Sequence, residues 1–157
     1  MGCVYKEVAL DVDGKLIPKI KVSEDSIKIT NPGFKKLYRA YDNASGYAIA
    51  DILTLQGEKI SRDNLLIVSP VDYLKSKTID NFTLVELQKE IFKDGELVYE
   101  DPSIIEKKEY CDKQMKTLYP EVRRINMPHI YPVSGTSEYV ELKKKLILEH
   151  KSKINNK

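Results

Sequence analysis

KKLYRAYDNASGYAIADILTL, the stretch from Lys35 to Leu55, carries the pattern that decides how this chain folds. Its two ends are rich in aromatic, β-branched and other apolar residues over strand-length runs, which suits a pleated, half-buried surface. Between them Asn43-Ala44-Ser45-Gly46 is small and polar and ends in a residue that tolerates positive φ, so the two runs read as a hairpin. Upstream, Asn31-Pro32-Gly33 is a turn, because proline presets φ and glycine accepts the left-handed region after it. Further back, PKIKVS alternates Ile20 and Val22 with Lys19, Lys21 and Ser23, predicting a strand with one polar face. VYKEVALDV (Val4 to Val12) reads as another strand, followed by an Asp13-Gly14 turn.

Downstream the alternation weakens, and NLLIVSP predicts a buried strand ended by Pro70. KEIFKDGELVYE places Asp94-Gly95 between two apolar runs, a second hairpin. The period then changes to that of a helix. Asp101 can cap with Pro102 at the first helical position, or Ser103 can cap with Glu106 in a capping box. Ile104, Cys111, Met115 and Leu118 recur at helical spacing and predict an inward face, with Pro120 just past the end. A last helix follows Gly135-Thr136-Ser137, with Tyr139, Leu142, Leu146 and Ile147 on its buried side, and it runs into a fraying basic tail from about residue 150. Strands first and helices last, without βαβ alternation, predict an α+β fold: an antiparallel β-rich segment over 1–60 and an α+β region with a hairpin and two helices over 61–157.

The 157 residues suffice for one ordinary domain. Lys and Arg number 26 against 24 Asp and Glu, so no global field for nucleic-acid binding exists and any electrostatic function must be local. No apolar run has the length of a membrane span, and Lys6, Glu7 and Asp11 interrupt any signal-peptide core. Met1-Gly2-Cys3 lacks the Ser or Thr at position six that myristoylation wants. Two distant cysteines, Cys3 and Cys111, without metal spacing, suit buried or incidental thiols in a reducing, cytoplasmic setting. His129 and His150 have no companions that would build a nucleophile–base pair or a metal site. Gly-rich phosphate loops are absent. What remains is a basic group, Lys6, Lys19, Lys21, Lys28, Lys35, Lys36 and Arg39, suited either to phosphate oxygens or to discouraging aggregation at a sheet edge.

GCVYKEVAL, PKIKVSEDSIKITNPGFKKLYRAYD and GYAIADILTL, followed by FKDGELVYEDPSIIEKKEYCDKQMKTLYPEVRRINMPHIYPVSGTSEYVELKKKLI, together resemble the C-terminal part of nicotinate phosphoribosyltransferases. The order of hairpin, helix, PE-x-R-R segment, YPV stretch and closing helix follows that family from Gly2 to Ile147; Gly57–Ser76 and an extra residue in NMPHIYPV depart from it. The resemblance implies a piece of a larger α/β-barrel enzyme that couples nicotinate to phosphoribosyl pyrophosphate with ATP and magnesium, toward NAD. In that family the phosphorylated histidine, the nicotinate pocket and the phosphate loops lie upstream, in the barrel. The resemblance therefore implies that this chain binds no cofactor itself, is inactive alone, and has the missing barrel as its partner, within a homodimer. Basic residues from strands after the barrel face phosphates across that dimer, and Lys6 and Lys21 match them, with Lys28 and Arg39 as outer members. Lys35 and Lys36 are read as solvated.

A different reading is a free-standing module whose basic hairpin, with Tyr38, Tyr41 and Tyr47, stacks single-stranded nucleic acid. The interleaved acids Glu24, Asp25, Asp42 and Asp51 argue against it.

Overall fold

The structure, a computed structural model, describes residues 5–25 and 28–155. Cys3, Val4 and the N-terminal Met-Gly-Cys motif lie outside the described residues. The chain opens with a small hairpin, β1 (Ala9–Val12) and β2 (Lys15–Pro18), paired only with each other. Asp13 and Gly14 both take positive φ, 52° and 75°, the requirement of a tight two-residue turn whose twist matches the strands. PKIKVS does not continue as a strand. The Lys19 N–H still bonds the Val8 carbonyl, but Lys21 exchanges its backbone bonds with Thr30, donating to Oγ1 at 2.8 Å and accepting from N at 3.1 Å. Its period of two thus belongs to an irregular arm folded back on the Asn31 turn.

The Lys35–Leu55 hairpin forms as the sequence reads: β3 (Lys35–Asp42) and β4 (Ala48–Leu55) are antiparallel, with a bulge at Ala40/Tyr41. Its loop closes on Asp42, whose carboxylate accepts from the Ser45 N–H and Oγ and is held below the usual carboxylate range by those bonds. Four more strands complete one sheet: β5 (Asn64–Val68), β6 (Ser76–Asp80), β7 (Phe82–Glu86) and β10 (Val133–Thr136), in the order β6-β5-β10-β4-β3-β7. β10 enters between β4, to which it is parallel, and β5, to which it is antiparallel. The 1–60 and 61–157 segments therefore share this sheet.

β6 and β7 are its two edges, yet only Asn81 separates them in sequence. Two residues on either side of a single residue stand at most about 7 Å apart at their Cα atoms, so the edges meet there and the sheet curls on itself like a barrel. The Asn43 N–H bonds the Asn81 carbonyl and their side-chain amides pair, locking that closure. Inside lie Ala40, Ala50, Ile52, Leu65, Ile67, Ile79 and Phe82, all buried. The alanines come from paired positions of β3 and β4, where a tightly curled wall leaves little room.

The other face of β4, β5 and β10 carries α3 (Ser137–Asn155), which follows β10 directly. Tyr139 and Val140 are buried against Val68, Leu53 and Leu55. Leu142, Leu146 and Ile147 are half-buried, as the spacing predicts, and the helix runs on through the basic tail to Asn155. Gly135 makes this packing possible, since a Cβ there would sit 2.5 Å from Tyr139 Cδ1.

Between these elements lie β8 (Phe92–Lys93) and β9 (Glu96–Leu97), a hairpin turning at Asp94-Gly95, then α1 (Ile104–Lys116) and the single turn α2 (Pro120–Arg123). Ser103 is the N-cap of α1, in a full capping box with Glu106. The expected inward face of α1 is not found: none of its residues is buried, and Ile104 is 85% exposed. Only its C-terminal end docks, through Gln114 and through the Thr117 carbonyl, which accepts from Ala48 N–H. Phe92, Leu97, Ile105, Ile125, Met127 and Ile130 are likewise exposed. The chain exposes 11975 Å² in all. A compact monomer of 18.0 kDa exposes about 8,000 Å².

Candidate functional site

The basic group divides by what each side chain already holds. On β3, the Arg39 guanidinium grips both oxygens of Asp51 at 2.8 and 2.9 Å and donates to Gln114 Oε1 at 3.0 Å. Tyr131 donates its hydroxyl to Asp51 Oδ1 at 3.0 Å, and the guanidinium lies 5.8 Å from the Tyr131 ring centre. The Asp51 hydrogen bonds raise the Arg39 pKa further, and burial raises that of Tyr131. Arg39 is thus the hub that ties β3, β4, the end of α1 and the segment before β10 together on the outer face of the sheet, and its fork is already committed within the chain. Lys36 of β3 is paired with Glu86 of the neighbouring β7. Lys28 is paired with Asp25 at 3.6 Å and is well exposed.

Lys35, expected to be solvated, is not. Its ammonium donates to the carbonyls of Asn31 and Gly33 at 2.8 and 2.7 Å, and partial burial lowers its pKa. Sequence reasoning missed a second lysine on the same turn. Lys143 of α3 is 2% exposed, and its ammonium donates to Asn31 Oδ1 at 2.9 Å and to the Pro70 carbonyl at 2.8 Å. Burial lowers its pKa as well. The signal was present: Lys143 is four residues after Tyr139 and three or four before Leu146 and Ile147, on the helix's inward stripe.

Lys6, Lys19 and Lys21 remain. Lys6 and Lys21 are exposed and Lys19 is half-buried, and among the described residues none of the three ammonium groups has a partner. Lys6 and Lys21 each lie three residues beyond the last β1–β2 pair, Ala9 with Pro18, so they flank the open end of the same hairpin. The structure brings these two to one end of the arm, keeps Lys28 on the arm's returning limb, and places Arg39 apart from them in the sheet. The tyrosines of the nucleic-acid reading are half-buried: Tyr47 stacks on Tyr119 at 4.5 Å and Tyr41 reaches Gln114. Two of the three are thus already engaged within the chain.

Two clefts open on the sheet. One of about 480 Å³ lies between the 69–77 loop and Ile130–Ser134 and is largely apolar, with Lys75, Lys77 and Asp72 at its rim. The other, about 560 Å³, is polar and is lined by Phe34, Lys35, Lys36, Gln56 and the Glu86–Glu90 segment. Among the described residues no group of three or more His, Cys, Asp and Glu is placed to hold a metal, and no helix is long and apolar enough to cross a membrane.

Comparison with known proteins fits this geometry. The family model of the nicotinate phosphoribosyltransferase C-terminal domain matches residues 34–143, which takes in the whole six-stranded sheet but not the arm. A nicotinate phosphoribosyltransferase of Bacillus subtilis is 34% identical over 155 residues, 98% of this chain and 32% of that protein. One of Caenorhabditis elegans is 36% identical over 137 residues, 85% of this chain and 24% of its own length. The crystal structure of human nicotinic acid phosphoribosyltransferase superposes with a TM-score of 0.66 at 25% identity, covering 75% of this chain and 24% of the human one. The chain thus spans a third or less of the proteins it matches. With its curled sheet, flanking helix and matched length, it belongs to the nicotinate phosphoribosyltransferase C-terminal domain family.

Proposed function

We propose that this chain serves as the C-terminal part of an enzyme joining nicotinate to phosphoribosyl pyrophosphate with ATP, and that Lys6 and Lys21 face the phosphates of that reaction. The observation that carries the site is the division among the cations. Lys28, Lys35, Lys36, Arg39 and Lys143 are each engaged by oxygens of this chain, whereas Lys6 and Lys21 stand exposed and free among the described residues at one end of the arm, with the likewise unpaired but half-buried Lys19 two residues before Lys21. Exposed ammonium groups without carboxylates are what a multiply charged pyrophosphate would recruit, and such donors stabilise charge gathering on a leaving group. Lys28 is the outer member, reachable by exchange of its exposed Asp25 partner. Arg39 acts from behind, holding β3, the strand that begins where the Asn31 turn ends.

The exposed surface supports a partner. The excess over a compact monomer, and the uncovered apolar side chains of α1 and of the segment from Ile125 to Ile130, fit an obligate contact with the remaining enzyme, in this chain's own subunit and in a second one. Magnesium and ATP are expected to be held by residues of the remaining enzyme, as the resemblance implies. Alone it is expected to be inactive.

The test is Lys6→Ala and Lys21→Ala in the enzyme assembled with this chain. Losing one charge-assisted contact costs about 1.5–3 kcal/mol, roughly 10- to 100-fold in kcat/KM for phosphoribosyl pyrophosphate. An unchanged kcat and KM for both variants would remove the phosphate role and leave a structural cap.

A further inference from the structure

We propose that Lys143 is a positioning residue: from α3 its buried ammonium pins the Asn31 turn to the Pro70 loop, and so sets where the arm bearing Lys6 and Lys21 leaves the sheet. The inference rests on the phosphate-facing reading of those two lysines.

The β1–β2 hairpin belongs to a sheet of its own, and a lone two-stranded hairpin is marginal in water. Its direction must come from where it is tethered. That tether is the segment from Thr30 to Gly33. Thr30 is buried and exchanges bonds with Lys21, while the Gly33 N–H and the Lys19 N–H both donate to the Val8 carbonyl, at 2.7 and 2.8 Å. Pro32 is fully buried, and Gly33 holds a φ of +84° with its position crowded by Leu55. Among the described residues, the hydrogen bonds that tether the arm to the sheet therefore all pass through one turn.

Two ammonium groups then converge on Asn31, Lys35 on its carbonyl and Lys143 on its side-chain oxygen. Neither makes an ion pair among the described residues. A buried ammonium held only by neutral oxygens carries a desolvation cost that a leucine or methionine at the same place would avoid. What the lysine gives in exchange is geometry. Its long stem spans from the α3 core stripe, and its donors join two loops that the sheet itself does not connect. Asn31 is the member on the turn that reports this, since its side chain has no other hydrogen-bond partner among the described residues.

The experiment is amide hydrogen exchange on the whole chain, comparing wild type with Lys143→Met and with Asn31→Ala, the second variant leaving the α3 packing intact. Both are expected to speed exchange at Lys19, Lys21 and Gly33 by about tenfold or more, while amides of the β3–β4 ladder keep their protection. Unchanged exchange at those three amides in Asn31→Ala, or a loss spread evenly over the sheet in both variants, would overturn the pin. In the assembled enzyme, Lys143→Met is expected to raise KM for phosphoribosyl pyrophosphate with kcat much less affected. Faster arm exchange with an unchanged KM would uphold the pin and overturn the phosphate reading on which its purpose rests.

Discussion

Tyr139 has its hydroxyl where nothing receives it. The residue is wholly buried on the sheet-facing side of α3, its oxygen has no hydrogen-bond partner among the described residues, and burial pushes its pKa well above the tyrosine range. An unpaired buried hydroxyl costs about 1–3 kcal/mol, so Tyr139→Phe is expected to leave stability unchanged or raise it by up to about 1 kcal/mol in urea unfolding. The opposite is expected at Gly135, where the added methyl of Gly135→Ala meets Tyr139 Cδ1 at 2.5 Å and Val140 Cγ2 at 3.1 Å. Overpacking a filled site costs about 1–3 kcal/mol, and here the strand cannot retreat because it is paired on both sides. The two buried ammonium groups on the Asn31 turn give a pH signature. Their folded pKa values are lowered, so below the ordinary lysine value of about 10.4 the unfolded chain binds more protons than the folded one. Stability contributed by these groups therefore rises as pH climbs through their lowered folded pKa values toward about 10, where the raised pKa values of Tyr73, Tyr131 and Tyr139 begin to reverse the trend. Unfolding free energies measured at several alkaline pH values below about 10 should show that rise, and Lys143→Met should flatten it.

At the scale of elements, α1 docks by its last turn, held by Arg39 at Gln114 and by the Ala48 N–H at the Thr117 carbonyl. Asp51→Ala would leave the guanidinium largely desolvated without its carboxylate. Since the pair is 17% and 14% exposed at its side chains, a loss of about 2–3 kcal/mol is expected, short of the full cost of a dry pair. Gln114 and Thr117 should lose amide protection first, and Arg39→Lys should not rescue, because an ammonium cannot bridge both Asp51 oxygens and Gln114 together. The same elements mark what was legible beforehand. The β3–β4 hairpin could be read because its signals, side-chain runs and a four-residue loop, are local. The capping box of Ser103 and Glu106 could be read for the same reason. PKIKVS misled because alternation reports a periodic exposure, not which backbone supplies the hydrogen bonds, and those come from Thr30 and Val8. The apolar spacing of α1 was sound, but it said nothing of whether the surface to meet it lies in this chain. β10 escaped notice because Val-Ser-Gly-Thr is a strand only by virtue of lying between β4 and β5. Lys6 and Lys21 were legible as basic residues; their freedom, and the commitment of Arg39 and Lys35, appear only with the fold.

At the scale of the whole molecule, the curl of the sheet and the bareness of α1 belong together. The inner face is filled by its own side chains, α3 covers one outer region, and the 88–130 stretch carries apolar side chains with little of this chain beneath them. This open surface supports the proposal that the remaining enzyme covers it; the chain spans a third or less of the relatives it matches. The decisive measurement is formation of nicotinate mononucleotide, with nicotinate, phosphoribosyl pyrophosphate, ATP and magnesium, by the Bacillus subtilis relative lacking its matching third. That truncated protein would be assayed alone, with its own third restored in trans, and with this chain in its place. Activity restored by this chain, absent from either piece alone and lost in the Lys6→Ala, Lys21→Ala double variant, is the expected result. Restoration by the native third but none by this chain, with the two pieces shown to form a complex, would contradict the claim that this fold completes the enzyme.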